Sequence, residues 1–138
     1  MWLDEVRAVA HLKGRMSGLK TGALVAAAMG NSLLRTYVRQ DRFSEPRPFQ
    51  MDDSITLVGA QPHTSSYPSG HTRTAFAAAR VLATLHPDRA ARVYDLAHQV
   101  GISRVYAGAH LPSDVLAGAR LGVAAADQVL RAVSVSRP

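Results

Sequence analysis

The stretch Gly70-His71-Thr72-Arg73-Thr74-Ala75-Phe76-Ala77-Ala78-Ala79-Arg80-Val81-Leu82-Ala83-Thr84-Leu85-His86 ends abruptly at Pro87. Within it Ala75, Ala78, Ala79, Leu82 and Leu85 recur at i, i+3, i+4, i+7 and i+10, the spacing of one helix face. A proline cannot continue that helix, because it lacks the N–H and clashes with the preceding turn. The same pattern continues on both sides. Leu3–Leu12 reads as a short amphipathic helix ending near Gly14, and Lys20 to about Gln40 as a longer alanine-rich one. Asp88 is a plausible N-cap for a helix running to about Ala109, and Ser113 for a last helix running to about Val133. Between Gln40 and Gly70, four prolines (Pro46, Pro48, Pro62, Pro68) and many turn formers predict a long loop, Asp41–Pro68. So long a loop in a small domain tends to carry function. The expected fold is all-α, a helical bundle of about five helices over a single domain, residues 1–138.

Composition narrows the choice of function. The chain has 138 residues, of which 47% are hydrophobic and 19% charged, with 23 alanines and no cysteine. This is globular, helix-favouring composition, and it excludes a disulfide scaffold and any thiolate metal or redox site. The formal net charge is +6, and 14 of the 16 basic residues are arginine. Those arginines are scattered from Arg7 to Arg137 rather than gathered in a stripe, so no nucleic-acid partner is expected. Mean hydropathy is −0.02. The longest apolar stretches, Ala23–Leu34 and Val115–Val129, are broken by polar residues short of the roughly 18–20 that a spanning helix needs. Asp4 and Glu5 stand where a signal peptide would be basic, so the chain is intracellular, has lost a leader, or is part of a longer protein.

Three segments carry chemistry. Arg104 falls on the inward stripe Val93, Ala97, Val100, Arg104, Ala107. A guanidinium there needs an anionic partner, either a structural carboxylate or a ligand. In Pro46-Arg47-Pro48 the flanking prolines hold Arg47 extended and give its side chain a defined direction, although an ordinary proline turn carrying a solvated arginine has the same sequence. Tyr67-Pro68-Ser69-Gly70-His71 leads straight into a helix, whose free N–H groups form an anion site. There Ser69 adds a hydroxyl, Gly70 admits close approach, and His71 can deliver a proton near neutral pH. A serine cap followed by a surface histidine would look alike. Finally His110 leaves one helix and Asp114 opens the next, so a carboxylate can orient an imidazole and leave its other nitrogen free to attack.

Taken together, Arg-Pro, then Pro-Ser-Gly-His, then Ser-Arg-x5-His-x3-Asp resembles the type-2 phosphatidic acid phosphatase superfamily. That superfamily includes bacterial non-specific acid phosphatases and vanadium haloperoxidases. The likeness covers residues 40–114 in its motifs and reads continuously from Ser66 to about Gly122. It implies a phosphatase for phosphomonoesters or related phosphoanhydrides, working without metal or cofactor. His110 would be the nucleophile, forming a phosphohistidine, with Asp114 orienting it and His71 protonating the leaving oxygen. Arg47, Arg104, Ser69 and Gly70 would bind phosphate, or vanadate in its place. One departure stands out: where the family's first motif, Lys-x6-Arg-Pro, has lysine, this chain has Gln40, with Arg39 and Arg42 nearby.

Gln40 keeps two further readings open, a catalytically weakened phosphate- or phospholipid-binding protein and, more remotely, a vanadate-dependent haloperoxidase. The expected partner is a phosphorylated small molecule or a lipid phosphate. Periplasmic or secreted location is favoured, with membrane association as the alternative. The alanine-rich stretches Ala23–Ala28 and Ala124–Ala126 suggest close helix packing, within the chain or in a homo-oligomer. His63 in the long loop is a candidate for the substrate entrance. His11, His86 and His98 read as surface or helix-end residues, and Trp2 and Phe76 as packing residues.

Overall fold

The computed structural model describes residues 15–40 and 44–135, with side-chain surroundings for 18–34 and 44–133. The expected helix Leu3–Leu12 and Trp2, His11 and Arg42 lie outside the described residues. The elements are α1 (Arg15–Gln40), α2 (Pro48–Met51), α3 (Gly70–Leu85), a 3-10 turn (Pro87–Arg89), α4 (Ala90–Tyr106) and α5 (Pro112–Val135). The fold is all-α, with no strand among the described residues.

Local chemistry sets the helix ends. Ser69 caps α3, its Oγ accepting from the Thr72 N–H at 3.4 Å, and His86 closes it before Pro87. Asp88 is not the N-cap of α4. It sits inside the 3-10 turn that starts at Pro87, because a proline with fixed φ suits a first helical position. Likewise α5 begins at Pro112 rather than being capped by Ser113, and Asp114 reaches back so that Oδ2 accepts from the Leu111 N–H at 2.9 Å. Pro48 opens the four-residue α2 inside the long loop, where the Gln50 side chain accepts from the Arg47 N–H at 2.8 Å.

Helix α4 stops at Tyr106, short of the expected Ala109, because Gly108 adopts φ +66°. The N–H of Gly108 returns to the Val105 carbonyl and that of Ala109 to the Arg104 carbonyl, the paired bonds of a glycine-terminated helix. This closure fixes where His110 stands relative to Arg104. A side chain at position 108 would also press on Ile55 and Thr56 of the long loop.

α3 is the central helix. Its face Ala75, Ala78, Ala79 and Leu82 is buried, and Phe76 packs edge-on against His98 with ring centroids 5.1 Å apart. His86 is at a helix end as expected, and it is buried. α5 runs beside α3 in the same direction. A Cβ at Gly118 would meet the Ser69 carbonyl, one at Gly122 would meet the Arg73 carbonyl, and farther along Arg80 pairs with Asp127 at 2.7 Å. Glycines four apart thus let two backbones touch. Of the alanine-rich stretches, Ala28, Ala125 and Ala126 are buried, while Ala23, Ala26, Ala27 and Ala124 are exposed. Asn31 ties α1 to α5 through a 3.1 Å bond to the Ala125 carbonyl.

Candidate active site

The helix ends, together with the long loop, enclose a cavity of about 730 Å3. Arg47 from the loop, Gly70 and His71 from the start of α3, Arg104 from the last turn of α4 and His110 from the α4–α5 connection all line it. These positions are up to 63 residues apart in the chain, and they meet as the sequence pattern implied.

His110 is buried and held between a cation and a carboxylate. Arg47 Nη1 lies 3.3 Å from His110 Nε2. A guanidinium can only donate, so Nε2 accepts, and the neutral ring carries its proton on Nδ1. On that side Asp114 Oδ2 stands 3.7 Å away, beyond hydrogen-bond reach, and it already accepts from Ser66 Oγ at 2.7 Å and from the Leu111 N–H. Burial and the Arg47 charge lower the His110 pKa below the ordinary 6.5, partly offset by Asp114. His71, at the exposed rim, is lowered by burial and by Arg104 and Arg47.

The two arginines differ. Arg47 is 4% exposed and uses all five N–H groups. They go to the Thr64 carbonyl (3.2 Å) and Oγ1 (3.3 Å), the Ser65 carbonyl (3.2 Å), the Ala109 carbonyl (2.8 Å) and His110. Arg104 is partly exposed and uses only Nε, toward Ser103 Oγ at 3.1 Å. It pairs with no carboxylate among the described residues. Its terminal nitrogens are therefore the ready donors for an anion, whereas Arg47 must exchange a bond to reach one.

Ser69 is fully buried behind the wall, its hydroxyl 2.9 Å from that of Thr72, and it does not line the cavity. In this arrangement its hydroxyl serves as the helix cap. Gly70 does line it, and a Cβ there would meet nothing within 4 Å, so open space lies against this backbone. Gln40 ends α1, with its side chain outside those described. His63 is exposed, and its neighbours Pro62 and Thr64, not His63 itself, line the cavity.

The rest of the lining belongs to no motif in the sequence. Met29 and Leu33 of α1, Leu57, Val58 and Ala60 of the loop, and Ala75, Val100 and Ala109 make most of the wall apolar. Ser54–Pro62 has no periodicity to mark it, although the length of the loop did point to function. Ser66, at the start of the family likeness, had no role assigned from the sequence.

The profile of the PAP2 superfamily matches residues 21–137. The chain belongs to that superfamily. Among PAP2 relatives it is similar to a non-specific acid phosphatase of Salmonella typhi, at 36% identity over 108 residues, covering 75% of this chain and 40% of that protein. It is also similar to a lipid A 1-phosphatase of Porphyromonas gingivalis, at 35% identity over 104 residues, covering 72% and 21%. The chain thus spans at most two fifths of the length of these curated PAP2 relatives. Two solved structures share the fold. Aquifex aeolicus LpxE superposes with a TM-score of 0.68 at 21% identity, over 94% of each chain. A transmembrane PAP2-type phosphatidylglycerolphosphate phosphatase of Bacillus subtilis superposes at 0.65 and 26% identity, over 99% of this chain and 79% of that one.

Proposed function

We propose that this chain is a metal-independent phosphatase acting through a phosphohistidine. The observation that carries the reading is the meeting of Arg47, His71, Arg104 and His110 around one cavity. Substrate phosphate binds to the free donors of Arg104 beside the start of α3, where helix N–H groups favour an anion. As a phosphoryl oxygen takes the Arg47 Nη1 hydrogen bond, the Nε2 lone pair of His110 is released. Nε2 forms a bond to phosphorus while the bond to the leaving oxygen breaks, and His71 supplies the proton to that oxygen. Donors already in place where charge collects typically contribute about 10²–10³-fold each. Water, giving a proton to the now neutral His71, then attacks phosphorus as the Nε2–P bond breaks, which frees inorganic phosphate and restores both histidines.

The wall beyond the phosphate donors favours an apolar leaving group. Leu57, Val58, Met29 and Leu33 suit an alkyl or prenyl body and offer nothing to a sugar's hydroxyls. Leu33 and Val58 are also exposed, so the rim itself is apolar. Such a substrate is presented at a lipid surface, and we place the chain there rather than free in the periplasm. No helix among the described residues is long and apolar enough to cross a membrane.

Hydrolysis of p-nitrophenyl phosphate across pH 4–8 with EDTA present, wild type beside His110→Ala, tests the chemistry. Turnover in the wild type alone is expected, and equal rates would refute the reading. Decyl phosphate against glucose 6-phosphate tests the leaving group: kcat/KM should favour the alkyl ester, and a preference for the sugar would refute the apolar assignment.

A further inference from the structure

Resting on that reading, we infer that Ser66 is a positioning residue for the nucleophile, acting through Asp114. Thr64, Ser65 and Ser66 brace both groups that flank the His110 ring. Arg47, on the Nε2 side, is held by Thr64 and the Ser65 carbonyl. Asp114, on the Nδ1 side, is held by the Ser66 hydroxyl at 2.7 Å across 48 residues of chain.

Ser66 is 1% exposed, Asp114 3% and His110 5%, so no solvent competes for these bonds. The Ser66 N–H donates to the Glu45 carbonyl at 3.0 Å, which fixes the serine backbone and leaves its hydroxyl directed at the carboxylate. The Ser66 backbone also acts on the imidazole, raising its pKa against the lowering by burial and Arg47. Asp114 Oδ2 is the carboxylate oxygen that faces Nδ1, and Ser66 and the Leu111 N–H set its place. Without the hydroxyl, Oδ2 is held by the Leu111 N–H alone, so the carboxylate is less firmly placed opposite Nδ1 and the imidazole loses part of the support for the charge it gains in attack. Ser66 itself does not line the cavity and touches no substrate.

The test is steady-state and single-turnover hydrolysis of p-nitrophenyl phosphate by Ser66→Ala, Asp114→Asn and the double variant, with folding checked by circular dichroism. A hydrogen bond to a buried charged group supports a loss of about ten- to a hundred-fold in kcat, with KM and inhibition by inorganic phosphate within two-fold. In the Asp114→Asn background the same substitution should cost less than two-fold, because the two residues act as one unit. A merely structural role would give multiplicative losses. If Ser66→Ala does not fold, Ser66→Cys keeps the shape with a weak donor and should show the same kcat loss. The proposal is overturned by wild-type kcat in a folded Ser66 variant, by a rise in KM at constant kcat, or by multiplicative losses in the cycle. Absence of His110-dependent turnover in the wild type would instead remove the phosphatase reading, and this proposal with it.

Discussion

Arg47 Nη1 donates to His110 Nε2 across 3.3 Å, so an arginine covers the lone pair of the nitrogen proposed to attack phosphorus. The contact has a consequence for the order of events. An anion that draws Nη1 away uncovers the nucleophile at the moment the phosphoryl group is in place.

The two arginines should therefore separate in mutagenesis. Arg47→Ala abandons the buried Ala109 carbonyl and His110 together with three part-buried acceptors on Thr64 and Ser65, and should lower unfolding free energy by more than about 2 kcal/mol while abolishing turnover. Arg104→Ala loses one bond to Ser103, and should stay within about 0.5 kcal/mol of wild type yet lose roughly 10²–10³-fold in kcat/KM. Urea melts and kinetics on the same preparations check both. Equal stability losses would contradict the division.

The pH profile follows from the two histidines. In the free enzyme His110 must be neutral and His71 protonated, so kcat/KM falls on the acid side through the pKa of His110 and on the alkaline side through that of His71. Both lie below the ordinary 6.5, so the optimum of kcat/KM should lie below 6.5 as well. A bound phosphate dianion favours both imidazolium forms and should move the kcat profile to higher pH. Removing the Arg104 charge should move the alkaline limb upward. An optimum of kcat/KM above pH 7 would contradict the assignment of roles.

Arg73 offers a stability test away from the chemistry. It is 2% exposed, its Nε and Nη2 have no hydrogen-bond partner among the described residues, and burial pushes its pKa down to about 10. Keeping a charge buried carries a desolvation cost that an apolar chain of similar volume does not. Arg73→Met should therefore raise the urea midpoint and leave kcat/KM within two-fold, since Arg73 does not line the cavity. A lower midpoint would show that the charge has a partner.

Two glycines should respond in opposite ways. Gly118→Ala puts a methyl against the Ser69 carbonyl of α3 and should cost about 1–3 kcal/mol through forced helix separation. Gly70→Ala meets nothing in the folded chain, so it should melt like wild type while its methyl occupies the space beside the helix start and raises KM. Thermal melts and Michaelis curves distinguish the two. Loss of folding in Gly70→Ala would contradict the open space described there.

These pairs also show where sequence reading succeeds and stops. The face of α3 and its stop at Pro87 were legible because periodicity and proline sterics are local. Arg104 was legible because a cation on an inward stripe demands an anion. By contrast α2 is four residues long and has no period to detect, and nothing local marks Gly118 and Gly122 as contacts until α3 lies against them. That the Ser69 hydroxyl faces Thr72 as a cap, away from the cavity lining, follows only from the folded helix start. Ser66 and Asp114 meet across 48 residues, a contact that only the folded chain brings about.

The most direct test of the account is to mix enzyme with a radiolabelled aryl phosphate, quench in alkali within the first turnover, and locate the label by peptide mapping. The account predicts alkali-stable, acid-labile label on the peptide carrying His110, at up to one per chain, and none in His110→Ala. Label on another residue, or undiminished turnover in His110→Ala, would contradict it.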